Sequence, residues 1–349
     1  MYKVGVFPGK FLPPHRGHLL QIINASTKCE MLYVVISDNT NTTKKICEES
    51  NIKIMDLKSR LKWLSIELQN FDHIKIVTLD ETNIPEYPNG WDKWVDLLNK
   101  SIPTPFDITY DGIDVIFGGE EEYREMYKKY FPNAAYEVFD YNRTRYPISG
   151  TEIRKNPYKH WDYILGSVRS HFVKNILITG TESCGKTTLV KYLAKIYHTS
   201  WVEEVGRYYA ERFLGGTEEV YTIEDFERIT IQHREEEYKA IRTANKVNFI
   251  DTDATVTQYY LNLYLNENSD FIDKFIDSTR YDLVIMLKPT VKWVDDGMRY
   301  NSEQNLREQL HEKLKNMYLN KGFKILEIGG NYSDRLDEII KIVDEMLDK

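Results

Sequence analysis

The sequence predicts an α/β protein with two domains, each built on a parallel sheet covered by helices. Two loops, residues 8–18 and 180–188, each follow an apolar strand and precede a helical pattern. Strands and helices also alternate along both halves, which is the order that produces parallel sheets with helical crossovers. A chain of 349 residues is long enough for two domains that each bury a core. We therefore expect one domain over residues 1–170 and a second over residues 171–349.

The first domain begins with an apolar strand at residues 3–7 and a loop of sequence PGKFLPPHRGH. Ligands bind at the carboxyl ends of strands in such sheets. His15 and His18 stand at the start of the following helix, so their imidazoles lie on one side of it, and Gly17 lets a phosphate approach the backbone between them. Two unrelated surface histidines are the alternative. A metal site is disfavoured here, because no third ligand stands nearby at zinc-like spacing.

Four further strand patterns, at residues 31–37, 73–79, 115–117 and 136–139, complete the predicted first sheet. Asp56 is expected to cap one intervening helix, an apolar stripe that starts at Trp91 marks another, and Gly118 and Gly119 end one of the strands. The polar segment DNTNTTKK, residues 38–45, is rich in Thr, Asn and Lys, so we expect a mobile surface loop there.

The first domain closes on the segment PISGTEIR, residues 147–154. Ser149 is a natural N-cap and Glu152 stands three residues later, which is the pattern of a capping box. A capped short helix is the simpler interpretation. The functional interpretation is a second phosphate-binding element, formed by exposed N–H groups, the Ser149 hydroxyl and Arg154. The presence of two such elements in one domain favours the functional interpretation.

The second domain opens with a buried strand at residues 176–178, the loop GTESCGKTT at residues 180–188, and a helix. This is the G-x-x-x-x-G-K-[ST] pattern of a P-loop in its required setting, in which backbone N–H groups turn toward phosphate oxygens. The helix N-terminus adds partial positive charge, Lys186 reaches the outer phosphates and Thr187 offers its hydroxyl to Mg²⁺. An ordinary glycine-containing turn is the alternative. The predicted binding residues of the loop are Gly180, Glu182, Ser183, Cys184, Gly185, Thr187 and Thr188.

Acidic residues follow the apolar strand at residues 247–250. Asp251 and Asp253 are expected to point to the same side, one serving Mg²⁺ and the other accepting the proton of an attacking hydroxyl, with Thr187 and Asp251 as the predicted metal ligands. Helix caps are the alternative. The loop WVDDGMR, residues 293–299, is expected to close as a lid in which Arg299 neutralises the transferring phosphoryl group. The charged run at residues 234–237 is expected to be a solvated helix face.

Composition limits the class of protein. Apolar residues make up 42% and charged residues 29%, as in ordinary globular domains. The net charge of −8 argues against a protein that coats nucleic acid. The three cysteines form no C-x-x-C pair, and the sequence shows neither a signal peptide nor a membrane-spanning run. We therefore expect a cytoplasmic protein without membrane insertion.

The segments GKFLPPHRGH and ISGTEIR resemble the signatures of the nucleotidylyltransferase superfamily, (H/T)-x-G-H and I-S-x-x-x-[IL]-R. With YPNGW at residues 87–91 and the downstream P-loop domain, the whole chain resembles the NadR family of bifunctional nicotinamide mononucleotide (NMN) adenylyltransferases and ribosylnicotinamide kinases. The resemblance implies a Rossmann-like nucleotidylyltransferase sheet followed by a P-loop kinase sheet. It implies Mg²⁺ as cofactor, ATP as co-substrate at both sites, and NMN, NAD and nicotinamide riboside as ligands.

The resemblance also implies roles for residues. His15 and His18 hold the ATP phosphates, and Trp91 stacks on the nicotinamide ring. Independently of the resemblance, the chemistry of adenylyl transfer suits Lys10 as a further cation that neutralises charge on the phosphates. Ser149 and Arg154 bind the departing pyrophosphate. Further implied binding residues are Gly9, Phe11, Gly17, Asn89, Gly118, Gly119, Thr151, Glu204, Arg207 and Trp293. Many family members begin with a helix-turn-helix domain, and because the first strand starts at residue 2 or 3 here, we expect no such domain and no DNA binding. A functional link to a nicotinamide riboside transporter and a homo-oligomer are left open.

Two other functions fit the same pair of phosphate motifs. One is a pantetheine-phosphate adenylyltransferase fused to a dephospho-coenzyme A kinase, and the other is a nucleotide-sensing module without turnover. The YPNGW and WVDDGMR segments favour NAD synthesis over the coenzyme A pathway. Complete sets of phosphate-binding residues in both halves argue against a sensor without turnover.

Overall fold

A computed structural model describes residues 1–85, 89–102, 112–217, 219–291 and 304–348. The chain divides into two compact units, Met1–Phe172 and Val173–Lys349. Each unit contains one five-stranded sheet in which every neighbouring pair of strands is parallel. The predicted α/β class with two parallel sheets is confirmed.

The first unit has the strand order β3-β2-β1-β4-β5. Its elements are β1 (Tyr2–Gly9), α1 (Arg16–Ser26), β2 (Cys29–Asp38), α2 (Thr40–Glu49), α3 (Leu57–Leu68), β3 (Ile74–Asp80), α4 (Trp91–Ser101), β4 (Val115–Gly118), α5 (Arg124–Tyr130), β5 (Ala135–Val138), α6 (Gly150–Lys155) and α7 (Gly166–Phe172). The chain leaves β1 on one side toward β2 and returns on the other side as β4. Loops at the carboxyl ends of β1 and β4 therefore flank the crevice where such sheets bind ligands.

Helices cover both faces of this sheet, which is why its central strands are continuous apolar runs. Leu32, Val34 and Ile36 of β2 face a cluster that includes α1 and α3. The alternate residues Tyr33 and Val35 face a second cluster that includes α4 and α5. This alternation follows from the two-residue period of a strand and fixes the face on which each helix packs.

The segment at residues 38–45 is not the predicted surface loop, because most of it belongs to α2. Asn39 caps this helix by accepting a hydrogen bond from the Thr42 N–H at 3.1 Å. The Thr43 hydroxyl donates to Asp38 at 2.8 Å, and Cys47, one turn later, is fully buried. A cap and two buried residues at i, i+4 spacing therefore stabilise a helix whose polar composition favours a loop.

The second unit has the strand order β10-β9-β6-β8-β7. Its elements are β6 (Lys174–Thr179), α8 (Lys186–Ile196), β7 (Trp201–Val202), α9 (Val205–Phe213), α10 (Ile223–Thr243), β8 (Val247–Asp251), α11 (Ala254–Leu265), α12 (Asp270–Asp273), β9 (Leu283–Leu287), α13 (Gln304–Asn320), β10 (Leu326–Ile328) and α14 (Tyr332–Leu347). β6 is the central strand, so the loop between β6 and α8 lies at the carboxyl edge between β8 and β9. None of the helices in the described ranges is both long and apolar enough to span a bilayer.

The run at residues 234–237 is not wholly the predicted solvated face, because Glu237 is 5% exposed. Its carboxylate pairs with Arg280 and accepts a hydrogen bond from the Tyr281 hydroxyl at 3.0 Å. Although burial alone raises the pKa of Glu237, its hydrogen bond to His233 and the charges of His233, Arg280 and Arg234 lower it to about 2. Apart from Arg234, these partners lie outside the run, which is why the run itself gave no sign of a buried carboxylate.

Candidate active sites

The first candidate site lies where β1 runs into α1. His15 is 5% exposed, and its ring stacks on that of His18 with the two centroids 3.7 Å apart. Burial, with a smaller effect of the Arg143 charge, lowers the pKa of His15 to about 4. Burial, followed by the charges of His15 and Arg143, lowers the pKa of His18 well below its ordinary value. The stacked imidazoles are therefore neutral at pH 7, and each can donate one N–H to a phosphate oxygen.

Gly17 and Gly9 lie against aromatic rings of this loop. A Cβ on Gly17 would stand 3.1 Å from the His15 ring, and one on Gly9 would stand 3.0 Å from the Phe11 ring. Phe11 itself is 1% exposed and belongs to the core, with its ring edge against His18 at a centroid distance of 5.1 Å. Gly17 therefore keeps a side chain away from the His15 imidazole, and Gly9 leaves room for the Phe11 ring that packs on His18.

The second predicted phosphate element, at the start of α6, contacts the first. The Ser149 N–H donates to Glu152 at 2.8 Å and the Glu152 N–H donates back to the Ser149 hydroxyl at 3.2 Å, so the capping box is formed as predicted. Arg154 donates to the Leu12 carbonyl and, at 3.0 Å, to the Thr151 hydroxyl. The segment is thus a capped helix, as the simpler interpretation predicted. The same helix also places Arg154 in contact with the loop that contains His15.

A buried arginine that the sequence analysis did not single out donates a hydrogen bond to the backbone of the same loop. Arg60 of α3 is fully buried and donates to the Lys10 carbonyl at 2.6 Å. The same guanidinium pairs with Asp38 at the end of β2. Lys10 itself is exposed, so its ammonium group is available to an anion while Arg60 fixes its backbone.

Trp91, predicted to stack on the nicotinamide ring, and the predicted binding residues Asn89, Gly118 and Gly119 have different surroundings. Trp91 is 9% exposed and packs among aromatic residues, with Tyr130 stacked at 5.9 Å and Tyr127 edge-on at 5.2 Å. Asn89 is exposed, and Gly118 lies under the Tyr136 hydroxyl, which a Cβ would meet at 2.6 Å. Gly119 has more room, since a Cβ there would stand 3.8 Å from the Gln21 side chain.

The second candidate site is the loop between β6 and α8. Gly180, Ser183 and Gly185 have φ values of +144°, +56° and +82°, so the loop makes left-handed turns that favour glycine at two of these positions. A Cβ on Gly180 would also come within 2.9 Å of the Leu287 carbonyl. The Lys186 ammonium donates to the Thr181 carbonyl at 3.0 Å, across the mouth of the loop. This is the predicted P-loop conformation, with the lysine directed along the concave side.

Carboxylates at the end of β8 complete this site. Asp251 is fully buried, and Thr187 donates its hydroxyl to Asp251 Oδ2 at 2.5 Å. Burial and the nearby charge of Glu204 raise the pKa of Asp251 from 3.8 to about 7. Asp251 Oδ1 is buried and has no hydrogen-bond partner among the described residues. An unsatisfied carboxylate oxygen beside a hydroxyl and a second carboxylate fits a hard divalent cation such as Mg²⁺.

Asp253 does not share this geometry. Thr252 has a φ of +67°, so the alternation of the strand does not continue from Asp251 to Asp253. Asp253 instead caps α11 by accepting the N–H groups of Thr255 and Val256, and the buried Tyr318 hydroxyl also donates to it. We expected the two acids to point to the same side because of strand alternation, and that basis is therefore lost. For Asp253, the helix-cap alternative describes the structure.

Comparisons with known proteins match the two halves of the chain to different family models. A Cytidylyltransferase-like family model matches residues 6–156, and an AAA domain model matches residues 175–335. The "Trifunctional NAD biosynthesis/regulator protein NadR" of Escherichia coli (strain K12) is 32% identical over 348 residues, which cover 99% of this chain and 83% of that protein. This chain belongs to the NadR family.

Two solved NadR structures have the same fold. A NadR protein in complex with NR is 27% identical with a TM-score of 0.82, and the match covers 99% of this chain and 96% of that one. A NadR protein in complex with NAD and AMP-PNP is 26% identical with a TM-score of 0.80, and the match covers 100% and 97% of the two chains. The NadR resemblance expected from the sequence is confirmed over both sheets.

The remaining predicted residues of this NadR-family chain have different surroundings. Glu204 stands just before α9, close enough to affect Asp251, whereas Arg207 and Thr188 lie on exposed helical surface. Trp293 and Arg299 of the predicted lid, like Tyr87 of YPNGW, lie outside the described residues. Two functional candidates were missed, Arg307 of α13 and Arg335 of α14. Both contact the P-loop, and isolated arginines in amphipathic helices give no sequence signal for this.

Proposed function

We propose that this NadR-family protein is a two-site enzyme of NAD salvage. Residues 171–349 form a kinase domain that phosphorylates nicotinamide riboside to NMN with ATP. Residues 1–170 form an adenylyltransferase domain that joins NMN to ATP, giving NAD and pyrophosphate. The observation that carries the proposal is a separate loop of the predicted phosphate-binding type at the carboxyl edge of each sheet, in a chain similar to NadR over 99% of its length. The NadR proteins solved with NR and with NAD and AMP-PNP support these ligand classes.

The adenylyltransferase step requires alignment of two polyanions more than it requires a protein nucleophile. The NMN 5′-phosphate is already an anionic nucleophile, and its attack on the α-phosphorus of ATP expels pyrophosphate. His15 and His18 are neutral, so we assign them the donation of N–H groups to the ATP phosphates. Lys10 and Arg154 supply positive charge to the departing pyrophosphate. The arrangement therefore acts by positioning and charge stabilisation.

The kinase step uses the P-loop and the end of β8. Lys186 and the N-terminus of α8 are assigned to the ATP phosphates. Thr187 and Asp251 fit Mg²⁺ as described above, and when bound there the ion supplies charge neutralisation to the phosphates. Asp253 already caps α11, so the metal role is assigned to Asp251.

Incubation of the protein with ATP, Mg²⁺ and nicotinamide riboside, followed by chromatography, tests the proposal. We expect ADP and NMN first, then pyrophosphate and NAD. The Lys186→Ala variant should lose ADP formation from riboside yet keep NAD formation from supplied NMN, and His18→Ala should show the reverse. Loss of both activities in either folded variant would contradict the assignment of independent sites.

The coenzyme A alternative is tested in the same assay by replacing riboside and NMN with dephospho-coenzyme A and pantetheine phosphate. We expect no product from these substrates. A sensor without turnover is excluded by any NAD formed from riboside and ATP. A cytoplasmic location stays a prediction, and a link to a riboside transporter and a homo-oligomer stay open.

A further inference from the structure

Two buried arginines lie behind the P-loop and donate hydrogen bonds to consecutive carbonyl groups of it. Arg307 of α13 is 4% exposed and donates to the Ser183 carbonyl at 3.4 Å. Arg335 of α14 is 1% exposed and donates to the Cys184 carbonyl at 2.6 Å. Both come from helices more than a hundred residues along the chain from the loop they contact.

Each guanidinium also holds the chain that follows β9. Arg335 donates to the Lys288 carbonyl at 2.7 Å and to the Thr290 hydroxyl at 2.8 Å. Arg307 donates to the Val291 carbonyl at 3.2 Å. The planar fork of an arginine can reach two carbonyl groups at once, which a lysine ammonium does less rigidly. The P-loop is therefore tied at two neighbouring points to the carboxyl end of β9.

These contacts orient the peptide groups that a phosphate would meet. In a trans peptide unit the C=O and the following N–H point in opposite directions. Because Arg307 and Arg335 hold the carbonyls of Ser183 and Cys184 on the outer side, the N–H groups of Cys184 and Gly185 point to the concave side. Within the described part of the chain, those two N–H groups have no acceptor.

The two guanidinium charges have no carboxylate partner among the described residues. Burial lowers the pKa of Arg335, and the charge of Arg307 lowers it slightly more, against the opposing effects of Cys184 and Tyr332. Burial of an unpaired cation is unfavourable, and an approaching anion offsets that penalty. The P-loop therefore has two fixed cations behind it in addition to Lys186 and the α8 N-terminus.

We propose that Arg307 and Arg335 form a cationic clamp, defined by their contacts to the Ser183 and Cys184 carbonyls, that pre-shapes the P-loop and gives it affinity for the phosphates of ATP. They are positioning residues, because they act by orienting the loop backbone and through the electrostatic potential of their charges. The inference rests on the proposed kinase function and adds that affinity for the triphosphate, rather than for the riboside, depends on the clamp.

The test uses the full chain and measures ADP release from ATP and nicotinamide riboside, which reports the kinase domain alone. Pyrophosphate release from ATP and NMN reports the adenylyltransferase domain in the same protein. The variants are Arg307→Gln, Arg335→Gln and the matching lysine substitutions. Arg228→Gln is the matched control, because Arg228 is an exposed arginine of the same unit that pairs with Glu224 on the surface.

We expect each glutamine variant to raise the KM for ATP in ADP release by about tenfold, as expected for a lost charge-assisted hydrogen bond. The inhibition constant of inorganic tripolyphosphate should rise in parallel, since this probe carries only phosphates. The KM for riboside and the rate of pyrophosphate release should stay at the wild-type values. The lysine variants keep the charge and lose the fork, so they should give a smaller rise, and Arg228→Gln should give none.

An unchanged KM for ATP in folded glutamine variants would overturn the clamp, as would equal rises in the KM values for ATP and riboside. If the glutamine variants lose the thermal transition of the kinase unit, the lysine variants provide the test. An ATP KM and a tripolyphosphate inhibition constant that are both unchanged in the lysine variants would refute the clamp. A wild-type protein that releases no ADP from riboside would instead refute the proposed function, so the two failures are distinguishable.

Discussion

Replacement of Asp251 by asparagine should stabilise the kinase unit while it abolishes phosphorylation. The carboxylate of Asp251 is fully buried, has one hydrogen bond from Thr187, and lies near the charge of Glu204. Burial and the charge of Glu204 favour the protonated acid and raise its pKa from 3.8 to about 7, although the charge of Lys186 and the hydrogen bond from Thr187 act in the opposite direction. Asparagine has nearly the same shape, can still accept the Thr187 hydrogen bond, and removes the buried charge.

The sign and size of the effect follow from the two pKa values. The folded protein holds the Asp251 proton up to about pH 7, whereas the unfolded chain releases it near 3.8. Stability therefore falls as the pH rises between these values, because the unfolded state binds fewer protons. A shift of about three pKa units corresponds to roughly 4 kcal/mol, so Asp251→Asn should gain at most about that free energy of unfolding at pH 8. Near pH 4 the gain should disappear.

The measurement is differential scanning calorimetry of the full chain in EDTA at pH 4, 6 and 8. The transition of the kinase unit is recognised by its shift with ATP and riboside. For a unit of this size, about 4 kcal/mol corresponds to a change in Tm of roughly 8–16 °C. Asp282→Asn is the control of opposite sign, because Asp282 accepts hydrogen bonds from Lys174 at 3.1 Å and from the Asn175 N–H at 2.9 Å. A wild-type protein as stable as Asp251→Asn at pH 8 would refute the reasoning.

Three other substitutions test individual contacts. Ser149→Ala removes the N-cap of α6, so it should cost about 1 kcal/mol and weaken inhibition by pyrophosphate, measured by denaturation and by product-inhibition kinetics. Arg60→Met leaves the buried Asp38 carboxylate without its cation and removes the hydrogen bond to the Lys10 carbonyl. We expect the free energy of unfolding of the first unit to fall by about 3–5 kcal/mol. The KM for ATP in pyrophosphate release should rise, and ADP release should stay unchanged. Glu237→Gln removes the charge that pairs with the partly exposed Arg280, so urea unfolding of the second unit should show a loss of about 3 kcal/mol.

The sheets and both phosphate loops were predictable from the sequence because each depends on local patterns. Apolar runs with strand length, glycines before a helix, and a Ser–Glu pair three residues apart determine their structure within a few residues of themselves. α2 was missed although its cap is local, because Asn39 accepts from the Thr42 N–H three residues later and the polar composition outweighed that signal. The burial of Thr43 and Cys47, by contrast, depends on neighbours in space. Composition alone favoured a loop there.

The residues behind the loops were not predictable, because their partners are backbone atoms far away in sequence. Arg335 and Cys184 are 151 positions apart, and Arg60 and Lys10 are 50 apart. Every residue has a carbonyl group, so the sequence does not show which carbonyl accepts a hydrogen bond from an arginine. Charged residues in amphipathic helices are also normally exposed, which is why such an arginine is assigned to the surface by default.

Both units use the same solution to one physical problem. A loop that binds phosphate must direct its N–H groups inward, and its carbonyls then face the protein interior, where an unsatisfied carbonyl is costly. Arg60 and Arg154 satisfy carbonyls of the loop that precedes α1, and Arg307 and Arg335 satisfy those of the P-loop. A guanidinium suits this position because it donates several hydrogen bonds in a fixed plane and adds a charge that favours the anion on the opposite side. Phosphate affinity in each unit should therefore depend on residues outside its sequence motif as well as on those within it.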